Sequence, residues 1–99
     1  DVLNTLGVAQ YRAGKYAESL ETLGRSKQLN IRNFGTMHPS DVAFLAMANH
    51  QLGQTEAAQQ GLVELQELLK SDRWKLDQES QRFLQEAEKL IAHGETPAP

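Results

Sequence analysis

Cysteine is absent from this 99-residue chain, and it has no long apolar run. Without cysteine there is neither a disulfide nor a thiolate metal site, and the composition suits a reducing compartment, so we expect a cytoplasmic protein. No apolar run approaches the roughly 18–20 residues that a membrane-spanning helix needs. We therefore expect a small helical domain with no disulfides and no membrane partner.

Basic residues are too few for a nucleic-acid-binding surface. The chain has ten Lys and Arg residues and thirteen Asp and Glu residues, which gives a net charge of −3. Proteins that bind nucleic acid place clustered Lys and Arg against the phosphates, and this chain has no such cluster. We expect no nucleic-acid partner.

Sequence motifs for catalysis are also missing. The three histidines, His38, His50 and His93, lie far apart, and no H-x-x-x-H or H-E-x-x-H spacing exists to bind a metal. The chain has no G-x-S-x-G motif, no phosphate-binding glycine loop and no cysteine nucleophile. Acidic pairs such as Glu86 and Glu88 are interpreted as solvated helix faces. We predict no catalytic residue, no metal, no cofactor and no enzymatic activity.

What the chain does contain is an internal repeat with a period of 39 residues. Each copy reads L-(G/A)-x-A-(Q/N)-x-x-x-G, then a small residue five positions after the glycine and leucine four positions later. The matching residues are Leu6, Gly7, Gly14, Ser19 and Leu23 in the first copy and Leu45, Ala46, Gly53, Ala58 and Leu62 in the second. Self-similarity of this kind indicates stacked helical hairpins.

The spacing within each copy has a physical reason. Two antiparallel helices approach closely only at small side chains, so we expect Gly7 and Ala46 to face Ser19 and Ala58 across each hairpin. A glycine ends each first helix, where the backbone needs a positive φ angle. Apolar residues at helical spacing should fill the seams, namely Leu3, Leu6, Leu20, Leu23, Val42, Leu45, Leu62 and Leu65.

This pattern resembles the tetratricopeptide repeat, which reads W-x-x-L-G-x-x-Y, a turn glycine and A-x-x-x-F. The chain departs from it at Gln10 and Asn49, where the family has an aromatic residue, and at Ile31 and Lys70, where the family has proline. The usual period of about 34 residues is longer here by about five, which predicts an insertion after the first repeat.

The resemblance implies an all-α fold, a helical solenoid of two tetratricopeptide-like helix-turn-helix repeats plus a C-terminal capping helix. The expected divisions are a first repeat at 1–30, a loop at 31–38, a second repeat at 39–70, a linker at 71–76, a capping helix at 77–93 and a disordered tail at 94–99.

The capping helix and the linker before it have their own signals. Asp77 can cap the helix, and one apolar stripe runs along Phe83, Leu84, Ala87, Leu90 and Ile91. One face would then cover the second repeat while the other meets water. In the linker, we expect the Trp74 ring to pack against Leu76 and the fourth helix.

The family resemblance also implies a function, which is protein–protein interaction. First helices line the concave side of such a stack, and that groove binds a peptide or partner protein. By motif position, the groove residues are Asn4, Val8, Tyr11, Arg12, Ala43, Met47, His50 and Gln51. We expect Tyr11, Arg12, Met47 and His50 to be accessible on one side. The alternatives are a structural oligomerisation element or spacer, and a regulatory segment of an enzyme domain elsewhere in the parent chain.

Two further expectations concern the context of the chain. The sequence pattern L-G-V-A-x-Y-R-A-G-x-Y is similar to repeats in large multidomain bacterial proteins, some of them signalling proteins of the serine/threonine-kinase type. We expect this chain to be a segment of such a protein. A first helix without a preceding neighbour would expose Val2, Thr5 and Ala9, which predicts a weak homodimer through that face.

Overall fold

The computed structural model describes residues 2–92, which form five α-helices and a final π-helical turn and contain no strand. The elements are α1 (Val2–Arg12), α2 (Tyr16–Phe34), α3 (Pro39–Gln51), α4 (Thr55–Leu68), α5 (Gln78–Ala87) and the π-helical turn (Glu88–Ala92). Over these residues, none of the helices has the length and apolar character needed to cross a bilayer. The all-α class is thus confirmed, while the expected tail at 94–99 and the end of the capping segment at residue 93 lie outside the described residues.

Helices α1 and α2 form the first hairpin through a very close approach at Gly7. A β-carbon built on Gly7 would lie 2.5 Å from the side chain of Leu23, which is closer than two such atoms can come. The Ser19 hydroxyl donates a hydrogen bond to the Gly7 carbonyl oxygen at 2.8 Å. Gly14 ends the turn with φ of 80°. The expected pairing of Gly7 with Ser19 is confirmed, and the hairpin depends on having no side chain at position 7.

Helices α3 and α4 repeat this arrangement around a different small residue. A β-carbon on Gly61 would lie 2.8 Å from the Ala46 β-carbon, so Gly61 is a close neighbour of Ala46. Ala58 is fully buried. Helix α3 is the centre of the fold, because it packs against every other helix. It supplies more residues to the buried core than any other helix.

The connection between the two hairpins is shorter than the sequence predicted. Helix α2 continues through Ile31 to Phe34, so the expected loop at 31–38 is wrong over its first four residues. Gly35 ends the helix in the left-handed conformation with φ of 73°, and its N–H donates to the Ile31 carbonyl oxygen at 2.9 Å. The His38 imidazole then caps α3 by accepting a hydrogen bond from the Ser40 N–H at 3.1 Å. Only a short turn therefore separates α2 from α3.

A buried carboxylate joins three helices at this junction. Asp41, in the first turn of α3, is fully buried. Its side chain accepts hydrogen bonds from Asn4 Nδ2 of α1 at 2.7 Å, and from Ser26 Oγ and Asn30 Nδ2 of α2 at 3.0 and 2.8 Å. The positive end of the α3 dipole also favours a carboxylate here. We name Asn4, Ser26, Asn30 and Asp41 the Asp41 cluster; it fixes how the second hairpin sits on the first.

The outer side of α1 is exposed, which corrects one expected core position. Leu6 was expected in the seam, but its side chain is 47% exposed. The reason is that Gly7, not Leu6, faces Leu23 across the hairpin. Val2, Thr5 and Ala9 are exposed too, as expected for an uncovered first helix. Dimerisation through this face stays a prediction.

Replacing Asp41 with Asn tests the role of the Asp41 cluster. The substitution keeps the shape but puts an N–H₂ group where an oxygen accepts hydrogen bonds, so the unfolding free energy should fall by about 2–3 kcal/mol. The matched control is Asp72→Asn, whose side chain is 96% exposed and pairs only with Lys75 nearby. It should change stability by about 0.5 kcal/mol or less. Urea unfolding measures both, and equal losses would show that the cluster does not hold the hairpins together.

Candidate functional site

Helix α5 packs against α3 and α4 of the second hairpin, and the Glu86 side chain reaches from it to Arg12 of α1. Its Phe83 ring meets the Phe44 ring of α3 edge-on, with centroids 5.2 Å apart, and Phe44 meets Tyr11 of α1 at 5.4 Å. We name this surface, formed by Tyr11, Arg12, Phe44, Met47 and Gln51, the α1/α3 face. The expectation that the last helix covers only the second hairpin is therefore incomplete, because α5 also reaches α1.

The apolar stripe of α5 is the side that makes these contacts. Ala87, Leu90 and Ile91 are buried, and Phe83 and Leu84 are half-buried against the core. Asp77 caps the helix as expected, since its carboxylate accepts a hydrogen bond from the Ser80 N–H at 3.0 Å. The stripe and the cap predicted from the sequence are both confirmed, although the surface that the stripe covers extends farther than expected.

An ion pair joins α5 to α1 at the rim of the face. Both terminal nitrogens of Arg12 bind the Glu86 carboxylate, with the Arg12 Nη2 to Glu86 Oε1 distance at 2.9 Å. The hydrogen bond to Glu86 raises the pKa of Arg12 above its ordinary value. The guanidinium also lies 5.0 Å from the centroid of the Phe44 ring, within cation–π range. Glu86 is thus an interhelical partner, and its interpretation as part of a solvated face is wrong.

Tyr11 lies behind this ion pair and is almost completely buried. Its pKa is raised, chiefly because burial disfavours the phenolate. The neutral hydroxyl accepts a hydrogen bond from Gln51 Nε2 at 3.4 Å, and the Tyr16 ring lies 5.4 Å away. The aromatic floor of the face is therefore uncharged, and its charge comes from the rim.

The eight residues assigned to the groove do lie on α1 and α3, but most of them are covered. Ala43 and Met47 are fully buried, and Tyr11 and His50 are 7% and 8% exposed. The expected accessibility of Tyr11, Met47 and His50 is wrong because α5 and the surrounding core enclose them; only Arg12 of that group is exposed. Val8 and Gln51 are half-buried. Asn4 points to Asp41 and Ser40 and serves the junction of the helices.

Three important residues of the site were not singled out in the sequence. Phe44 looked like one apolar residue among many on α3, and Phe83 like part of a capping stripe. Glu86 pairs with a residue 74 positions away, so no local spacing signals the contact. Phe83 and Glu86 lie three positions apart, which puts an aromatic ring and a carboxylate side by side on a helix. That spacing marks Phe83 and Glu86 as neighbours on one helix face, but it does not indicate their partners on α1 and α3.

An open cleft remains where α5 meets α1 and α3. It has a volume of about 360 Å³. The residues that line it are Tyr11, Arg12, Tyr16, Met47, Gln51, Glu86, Lys89 and Leu90. The lining combines aromatic and apolar side chains with polar ones, and its charged groups are Arg12, Lys89 and the Glu86 carboxylate that pairs with Arg12. Among residues 2–92 there is no group of three His, Asp or Glu side chains placed to hold a metal ion. The cleft offers shape, aromatic surface and charge, which are the means of recognising another chain.

Trp74 packs against a different partner from the expected one. Its ring meets the His38 ring at 5.0 Å, while Leu76 is 84% exposed. The Arg73 guanidinium lies 5.0 Å from the Trp74 centroid on the solvent side. Trp74 therefore fastens the link between α4 and α5 to the turn between α2 and α3.

The comparisons with known proteins add no relative. No family model matches the chain, and no curated protein or solved structure gave a match. The case for a function therefore rests on the geometry of the α1/α3 face and of the helix that covers it.

The cap of α5 should depend on pH through Asp77. Hydrogen bonds from the Ser80 hydroxyl and N–H lower the pKa of Asp77 below its ordinary value of 3.8. A lowered pKa means that the cap stabilises α5 fully above pH 3.8, and that this is lost as the pH falls through the lower native value. The Ser80 amide resonance, followed by NMR, should titrate below pH 3.8. The control is Asp77→Asn, because asparagine caps a helix equally well but does not titrate. In this variant the Ser80 amide resonance should show no transition below pH 3.8. A transition that persists in the variant would belong to another group.

Proposed function

We propose that this chain is a protein-interaction module, built from two tetratricopeptide-like repeats, whose α1/α3 face binds a peptide from a partner protein. The observation that carries the proposal is that an amphipathic helix already lies on this face. Helix α5 places the aromatic ring of Phe83 against Phe44 and the Glu86 carboxylate against Arg12. A surface that accepts one such helix has the shape and chemistry to accept another.

The polarity of the face indicates the kind of peptide. Its floor is aromatic and uncharged, while Arg12 of α1 brings positive charge to the rim. Arg12 is held in a fork geometry that suits a carboxylate, and it is half-exposed at 52%. An acidic peptide with an aromatic or aliphatic anchor therefore fits the face better than a basic one. Helical peptides are favoured over extended ones, because α5 is a helix.

A peptide-display selection on the full chain tests this function. Helical peptides of about four turns, with varied residues along one face, are selected for binding to the original protein. Their dissociation constants are then measured for the original protein and for the Arg12→Gln variant. The substitution removes the charge at the rim, so the dissociation constant of the selected peptides should rise about tenfold, equal to about 1.4 kcal/mol.

Arg32→Gln is the matched control. Arg32 is exposed on α2, away from the α1/α3 face, and its substitution removes the same charge from the chain. Selected peptides should bind this variant as they bind the original protein. Failure to select any peptide, or equal losses in the two variants, would contradict the proposed function.

A further inference from the structure

Helix α5 is attached to the rest of the fold in a way that differs from the other helices. Short turns connect α1 to α2, α2 to α3 and α3 to α4, and the Asp41 cluster ties the first three together. A longer link, residues 69–77, leads to α5. Most of this link is exposed, and Trp74 fastens it to His38. The backbone hydrogen bonds given for this link join residues three or four positions apart, so the contacts that hold α5 on the other helices are made by side chains.

The polar contact that holds α5 on α1 is itself exposed. The Arg12 and Glu86 side chains are 52% and 36% exposed, so water and salt compete with their ion pair. Other contacts hold it on the second hairpin: the edge of Phe83 on Phe44, and the burial of Ala87 and the residues after it against α3 and α4. Just after α5, Glu88 accepts a hydrogen bond from Gln66 Nε2 of α4 at 3.2 Å. A helix of ten residues is too short to be stable alone in water, so α5 depends on the face for its own structure.

We propose that α5 is a built-in competitor for the α1/α3 face, and that the partner is an acidic amphipathic helix that displaces it. This inference rests on the function proposed above and names the partner's chemistry. The partner helix carries an aromatic residue, a carboxylate three positions later and a small residue after that, as Phe83, Glu86 and Ala87 do in α5. Charge complementarity with Arg12 sets its orientation on the face.

Competition has a definite consequence for affinity. While α5 covers the face, only the fraction of molecules with α5 displaced can bind, and the apparent affinity falls by that fraction. Weakening α5 within the chain should therefore strengthen binding of a separate helix, even though no residue of the α1/α3 face has changed. A helix that merely completes the core gives the opposite result, because its loss leaves no competent surface.

The test uses the full chain and a labelled synthetic peptide with the sequence of residues 77–92, followed by fluorescence anisotropy. Glu86→Arg in the protein sets two positive charges against each other at the α5 contact but leaves Arg12 available. The peptide should bind this variant roughly tenfold more tightly than it binds the original protein. A peptide that itself carries Glu86→Arg should not bind.

Two protein variants control for charge and for folding. Glu21→Arg makes the same change of charge at an exposed position of α2, and the peptide should bind it no better than it binds the original protein. The double variant Arg12→Glu/Glu86→Arg restores an attractive pair within the chain and should bind no better than the original. Glu86→Gln weakens the contact between α5 and α1 less than Glu86→Arg does, and it serves if Glu86→Arg fails to fold. The peptide should bind this variant with a smaller gain in affinity.

The outcomes separate this inference from the proposed function. A folded Glu86→Arg or Glu86→Gln protein that binds the peptide no better than the original overturns the competitor role. If displayed peptides still depend on Arg12 in that case, the α1/α3 face remains an interaction surface and only the role of α5 is wrong. If no peptide of either kind depends on Arg12, both proposals fall.

Discussion

The buried carboxylate of Asp41 is the interaction on which the rest of this structure depends. A carboxylate removed from water must have its oxygens satisfied by donors, and these donors come from three side chains on two other helices. Rotating one hairpin against the other would leave the charge buried without partners. The helices can pack with many small shifts of apolar side chains, but the Asp41 cluster permits one arrangement. It converts two hairpins into one defined body.

That arrangement creates the α1/α3 face. With α1 held beside α3, the Tyr11 ring reaches Phe44, and Arg12 extends over the same ring to the rim. The aromatic floor of the face is unfavourable when it is exposed to water, and the positive charge at its rim favours a helix that carries a carboxylate. Helix α5 meets both conditions through Phe83 and Glu86. The proposed binding function and the proposed competition by α5 are two consequences of the same surface.

Local features of the sequence predicted the helices well and the assembly less well. The turn glycines, the cap at Asp77 and the apolar stripe of α5 could be read because each depends on residues within a few positions of it. The extension of α2 to Phe34 was missed because the repeat placed its end at Asn30, whereas Gly35 provides the actual stop. Asp41 and the Arg12–Glu86 pair could not be read at all, since their partners are distant in sequence. The residues assigned to the groove lie on α1 and α3, but nothing local showed that Tyr11 and Met47 would be buried.

Amide hydrogen exchange on the full chain tests the central claim most directly, which is that α5 opens while α1–α4 stay folded. We expect the backbone amides of α5 to exchange through an opening of lower free energy than amides in the middle of α2 and α3, and Glu86→Arg to accelerate exchange in α5 alone. If the amides of α5 and α3 exchange together, and accelerate together in the variant, then α5 is an integral part of the core. The α1/α3 face would then never be available to a partner.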